Sequence, residues 1–285
     1  MFVSVLISVY QSERPEYLNR ALQSVWDDQT LKPDEIVLIE DGPLTQDLLN
    51  VLENWKNRLG DKLQLIINEQ NLGVTKSLNR GLKVCRGIYI ARMDSDDISM
   101  PHRFEAQCNY LDTHPDISVV GGSLQEFNAD CDNLGIRHYP LSNIDARKYI
   151  RKASPLAHPT VMMRREMFDN GLIYDERFRT SQDIALWFDV LASGRKIANL
   201  SEVTIKFRRD GDIFKRRSRD KAKNELKIYL HGIKRLYGSF NPYYIFPIAR
   251  FIFRMMPVGI VKAIYGSQIR SKFLHYYWCD KIALV

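Results

Sequence analysis

Residues 88–97 read Ile88-Tyr89-Ile90-Ala91-Arg92-Met93-Asp94-Ser95-Asp96-Asp97, an apolar run that ends in clustered acids. The run predicts a buried strand, and Asp94, Asp96 and Asp97 crowd three carboxylates into four positions at its end. Carboxylates this close repel one another unless a cation sits among them. Mg²⁺ and Mn²⁺ take oxygen ligands and complete their shells with water and substrate phosphate. The stretch therefore points to metal-bridged diphosphate chemistry at a strand end. An acidic surface turn is the alternative.

The residues before it alternate between strand and helix patterns. Val3–Val9 is a β-branched apolar run, as expected of a strand covered on both faces. Leu18, Ala21, Leu22, Val25 and Trp26 repeat with helical spacing, and Pro15 suits the first turn of that helix. Strands are predicted at residues 36–39, 63–67 and 117–120. Helices are predicted around Leu48 to Trp55, from Gly73 to Val84, and from Pro101 through Leu111. Such alternation predicts an α/β domain with a mostly parallel central sheet and helices on both faces. Ligands of such sheets lie outside the carboxyl ends of the strands. Tyr10, Asp41, Asn71 and Asp94 all follow predicted strand ends. Beyond Gly122 the pattern loosens to a short helix at 144–152, a strand at 160–163 and a helix at 182–192.

At 45% apolar residues, a chain of 285 can bury a full domain core and carry an appendage. Charge is unevenly placed. Residues 206–285 hold 18 lysines and arginines against five acids, a balance of +13, whereas residues 1–205 sum to −6. A basic tail on an acidic body points to phosphate, in nucleic acid or anionic lipid. The four cysteines form no CxxC pair and, with no secretory signal in view, predict reduced thiols. No run is long and charge-free enough to predict a spanning helix.

Seven segments, in this order, resemble the family 2 inverting glycosyltransferases. They are Ser4-Val5-Leu6-Ile7-Ser8-Val9-Tyr10, Glu40-Asp41-Gly42, Asn71-Leu72-Gly73, Asn79-Arg80-Gly81, Met93-Asp94-Ser95-Asp96-Asp97, His158-Pro159 and Gln182-Asp183-Ile184-Ala185-Leu186-Trp187. The resemblance covers residues 1–217 and is nearest to enzymes that build bacterial O-antigens and capsules. It implies the GT-A nucleotide-diphospho-sugar transferase fold, with residues 1–122 as the nucleotide-binding half and 123–217 as the acceptor half. It implies a nucleotide-sugar donor, UDP-linked, a divalent metal (Mn²⁺ or Mg²⁺) and transfer of a hexose to a saccharide acceptor. A non-catalytic nucleotide-binding or scaffolding protein of the same fold is the alternative.

Roles follow position by position from that resemblance. Asp94-Ser95-Asp96 matches the DxD element, with Asp96 as metal ligand and Asp94 and Ser95 toward the nucleotide. Asp41 would accept hydrogen bonds from the base, Tyr10 would flank it, and Glu13 and Lys76 would reach the base, ribose or phosphates. Asp183 would be the base that deprotonates the acceptor hydroxyl. Its alternative is a cap on the helix led by Ser181. This chain has Gln182 where family members often carry Glu. Asp97, His158, Trp187, Arg208 and Arg216 are candidate donor, acceptor or diphosphate contacts. Trp187 reads equally well as a core residue, a lone histidine such as His158 is more often structural than a ligand, and Arg208 and Arg216 read also as parts of a solvated or lipid-facing basic loop.

Residues 218–285 predict a helical, membrane-associating tail. Apolar residues from Tyr243 to Val261 are interrupted by Arg250, Arg254 and Lys262, and by Pro247 and Pro257, which argues against a span. Amphipathic segments lying at an anionic membrane surface fit better. Such a tail would hold the chain at the inner face of the bacterial cytoplasmic membrane, on its cytoplasmic side, beside a polyprenyl-diphosphate-linked acceptor. Packing against the catalytic domain is the alternative. Nucleic acid is not expected as a partner, because the bases alternate with long apolar residues.

Overall fold

The computed structural model describes residues 2–209 and 219–256, so Arg216 and the apolar segments beyond 256 lie outside the described residues. The chain runs β1 (Val3–Val9), α1 (Pro15–Trp26), β2 (Glu35–Glu40), α2 (Gln46–Leu59), β3 (Leu63–Ile67), α3 (Val74–Leu82) and β4 (Tyr89–Asp94). It continues through β5 (Ile98–Ser99), α4 (Arg103–Thr113), β6 (Ile117–Phe127), β7 (Asn133–Arg137), α5 (Asn143–Tyr149), β8 (Met162–Arg164) and α6 (Glu166–Asp169). It closes with α7 (Gln182–Ala192), β9 (Lys196–Arg208), α8 (Arg219–Tyr237) and α9 (Ile245–Met255).

The strands form one sheet in the order β3-β2-β1-β4-β8-β6-β9-β5, with β7 paired to β6. The first four are parallel, as expected. Ser8 stands opposite Asp94 and Val9 opposite Glu40, so Tyr10, Asp41 and the acidic loop emerge at one edge. The second half is mixed. β8 runs antiparallel to both β4 and β6, while β9 runs parallel to β6 and antiparallel to β5.

Strand β6 is longer than its apolar run predicts and passes through residue 122, so the two halves share a strand. Gly121-Gly122 does not end it. A Cβ at Gly121 would lie 2.3 Å from Asn199 Oδ1, and one at Gly122 2.5 Å from the Thr204 side chain. The glycines let β9 approach. Strand β8 starts later than predicted because residues 158–160 form a 3₁₀ turn in which the Thr160 hydroxyl bonds Ala157 O at 2.7 Å.

Alternation along β1 sends Val5 and Ile7 into the layer under α1, α2 and α4, and Leu6 into the layer shared with α3, α7 and α8. Helix α7 buries nearly its whole length, because α8 covers the side turned away from the sheet. Gly232 of α8 lies against the Phe188 ring, where a Cβ would come within 2.2 Å. Helix α8 is thus packed on the domain rather than extended from it.

Arg250 and Arg254 depart from the lipid-facing role expected of them. Arg250 is 7% exposed and donates to Glu225 Oε1 at 2.7 Å and to the Tyr229 hydroxyl at 3.4 Å. Arg254 pairs with the other oxygen of Glu225. Both reach inward to α8 because the glutamate lies buried there. Ile245, Ile248 and Ile252 share the outer face of α9 and are 65%, 44% and 54% exposed. Among the described residues, no helix is long and apolar enough to cross a membrane.

Candidate active site

Strand β4 ends in Asp94, and the chain then turns through Ser95, Asp96 and Asp97. Carboxylate oxygens of the three aspartates lie within 4.8 Å of one another. The loop is fixed from the far side of the sheet. The backbone N–H of Arg208 donates to Asp97 Oδ1 at 2.8 Å, and its Nε donates to Asp96 O at 3.0 Å. The guanidinium carbon lies 3.7 Å from the Tyr17 ring centre and 4.5 Å from that of Phe127. Arg208 ends a strand and braces the acidic loop, which sets aside the alternative of a solvated basic loop. Arg209 is likewise engaged, donating to Glu126 at 2.8 Å.

The electrostatics of this loop are those of a site short of positive charge. Burial, then Asp94 and Glu13, push the Asp96 carboxyl up to about 7. Burial, then Asp94 and Asp96, raise Asp97 well above the usual carboxylate range. Asp97 Oδ2 is buried and has no hydrogen-bond partner among the described residues. Ser95 Oγ donates to Glu13 Oε2 at 2.5 Å, which draws a fourth carboxylate to the cluster. A hard divalent cation fits this oxygen-only set, and the orphaned oxygen of Asp97 is one that such an ion would satisfy.

The neighbouring strand end is built around Asp41. Its Oδ1 accepts from Asn68 Nδ2 at 3.0 Å and from Leu72 N at 2.8 Å, and its Oδ2 accepts from Gly73 N at 3.0 Å. Asp41 therefore shapes the loop before α3, and its Oδ2, with one donor, retains capacity for another. Gly42 has φ +91°, and a Cβ there would meet Asn71 N at 2.7 Å, so the turn requires glycine. Tyr10 is 48% exposed at the same edge, and Lys76 is exposed on α3. Asn68, whose Nδ2 bridges Asp41 and Ser77, is a member of this corner that the sequence pattern did not flag.

Across the site, α7 begins at Ser181, a non-glycine residue with φ +59° whose side chain caps nothing. Asp183 follows, half-buried, with its carboxyl raised above the usual range by burial. His158 Nε2 lies 2.7 Å from the Tyr174 hydroxyl, and burial holds the ring neutral. Its ring meets Trp187 edge-on at 6.2 Å. Trp187 is fully buried, which corrects its candidacy as an acceptor platform: α7 turns it into the core. Asn79 of the Asn79-Arg80-Gly81 segment clasps Tyr174 through both backbone groups, at 2.8 and 3.1 Å.

Sequence reasoning also missed Arg92. It is 4% exposed, pairs with Asp94, and carries charge that bears on Asp96, Asp97, Asp183 and His158. A lone arginine inside an otherwise apolar strand was the available signal.

Residues 4–172 match the family model described as Glycosyl transferase family 2. The chain is 35% identical over 266 residues to the amylovoran biosynthesis glycosyltransferase AmsE of Erwinia amylovora, covering 93% of this chain and 98% of that one. It is 31% identical over 274 residues to an Escherichia coli UDP-Gal:alpha-D-GlcNAc-diphosphoundecaprenol beta-1,3-galactosyltransferase, covering 94% and 96%. Among solved structures, S. aureus TarS in complex with UDP-GlcNAc superposes with a TM-score of 0.64 at 20% identity, over 99% of this chain and 77% of that one. The chain belongs to glycosyl transferase family 2 and has the GT-A fold.

Proposed function

We propose that this family 2 member moves a hexose from a UDP-sugar, with inversion, to a saccharide carried on a polyprenyl diphosphate during assembly of a bacterial surface polysaccharide. The observation that carries it is the acidic triad at the end of β4, partly buried, mutually repelling and braced from β9. When bound there by Asp96 with Asp94 and Asp97, Mn²⁺ or Mg²⁺ would neutralise charge on the departing diphosphate. Asp41, Tyr10, Glu13, Ser95 and Lys76 would hold the nucleoside and phosphates at the edge the parallel strands share. Asp183, its carboxyl raised by burial, would take the proton of the attacking hydroxyl. Arg208 would act by holding the Asp96 carbonyl and the Asp97 carboxylate, and neutral His158 would line the pocket between the two halves.

Similarity to an enzyme whose name specifies a diphosphoundecaprenol-linked acceptor supports the lipid-linked acceptor. The exposed isoleucines of α9 supply an apolar face suited to lying in a membrane surface. The test is transfer from UDP-Glc, UDP-Gal and UDP-GlcNAc to a synthetic polyprenyl-diphosphate GlcNAc, with the product anomer read by NMR. A β-linked product that requires a divalent metal is expected. A product with retained α configuration, or transfer unaffected by chelator, would overturn the mechanism.

A further inference from the structure

The acidic loop already has a cation of its own. Side chains two apart on a strand share a face, so Arg92 and Asp94 of β4 lie side by side, and Arg92 Nη2 pairs with Asp94 Oδ1. The pairing is one-sided: Arg92 Nε and Nη1 are buried and have no hydrogen-bond partner among the described residues. A structural arginine of this burial ordinarily spends its fork on two acceptors. Here the carbonyl of Arg92 accepts from Arg103 Nη2 at 2.7 Å, which fixes the backbone and sets a second buried cation behind the first. Arg92 is thus held facing the triad with donor capacity to spare.

A divalent ion and Arg92 compete for the same negative charge. In a poorly solvated site, a fixed positive charge a few ångströms from an incoming dication weakens its binding strongly. A diphosphate arriving with the ion brings negative charge that offsets the repulsion and accepts hydrogen bonds. We infer that Arg92 is a built-in counter-cation of the triad, a positioning residue that keeps the metal-free loop from repelling itself apart and lets the metal bind firmly only together with a nucleotide diphosphate. By linkage, each ligand then tightens the other by the same factor. The inference rests on the metal reading proposed above.

Titration calorimetry of Mn²⁺ into the full chain, with and without saturating UDP, separates the two. Arg92→Gln removes the charge and retains a polar side chain. Without UDP it should bind Mn²⁺ about tenfold more tightly than the wild type, or better. With UDP the difference should shrink. Should Arg92→Gln fail to fold, Asp94→Asn compared with Arg92→Gln/Asp94→Asn makes the same measurement, because the double variant removes the whole ion pair and leaves no uncompensated charge. The double variant should bind Mn²⁺ about tenfold more tightly than the single. Equal or weaker Mn²⁺ binding on loss of Arg92, in either comparison, would overturn the inference and leave the metal reading intact. A wild type that binds no Mn²⁺, with or without UDP, would overturn both.

Discussion

Two ionic clusters in this molecule are built on opposite plans. Between α8 and α9, one carboxylate, Glu225, is met by two guanidiniums, and one of these also reaches the Tyr229 hydroxyl. At the end of β4, three aspartates and Glu13 crowd together beside Arg92, and Asp97 Oδ2 and two nitrogens of Arg92 have no hydrogen-bond partner among the described residues. Buried polar groups are ordinarily satisfied, and orphaned ones call for a reason. The matched cluster fastens a helix to a domain. The mismatched one is held under electrostatic stress by the fold around it, which is what a site awaiting a charged ligand requires.

The sharpest way to break the contrast is to neutralise acids at the candidate active site and in the α8–α9 cluster. Asp96→Asn and Asp183→Asn should each lower transfer by about 10³-fold or more, with a folded protein by circular dichroism. Transfer near the wild-type rate in either would remove that residue from its role. Glu225→Gln should do the reverse. Breaking a buried ion pair costs about 3–5 kcal/mol, so urea unfolding should shift strongly while the folded fraction keeps its rate. A large rate loss with unchanged stability would mean that this cluster, too, serves the chemistry.

Acid held above its normal pKa gives a finer test. In the folded chain Asp96 is raised from 3.8 to about 7, so it favours folding while protonated. That contribution is complete below about pH 4 and is lost as pH rises through about 7. Metal-free Asp96→Asn should therefore melt about 2–4 °C above the wild type at pH 8, and the gain should vanish near pH 4. A variant that melts below the wild type at pH 8 would show the triad to be a stabilising network instead. The smallest effect is expected at the outer face of α9. Ile248→Asp should weaken binding to anionic vesicles about tenfold or more without touching soluble-acceptor transfer, since one buried aliphatic side chain is worth about 1.5–3 kcal/mol. Unchanged vesicle binding would free α9 from a membrane role.

The same contrast marks what could be read in the sequence. The parallel half was legible because its signals are local: β-branched runs for β1 and β2, helical spacing at Leu18, Leu22 and Val25, and acids at a strand end. The acidic triad was visible for the same reason. The strands β7 and β9 were not, because exposed β7 carries no apolar run and β9 is held by pairing with β6 through glycines that read as a break. Arg208 braces Asp97 across 111 residues, a contact that no local pattern announces. Trp187 was ambiguous because spacing alone does not say which face α8 will cover, and Arg250 because its partner lies 25 residues away on α8.

The most direct test is calorimetric titration of UDP into wild type and Asp96→Asn, with Mn²⁺ and with chelator. UDP should bind the wild type at least about tenfold more tightly with Mn²⁺ than with chelator, and Asp96→Asn should lose that enhancement. UDP binding that is equal with and without metal, and unchanged in Asp96→Asn, would contradict the claim that the stressed carboxylates of β4 are the metal-diphosphate site.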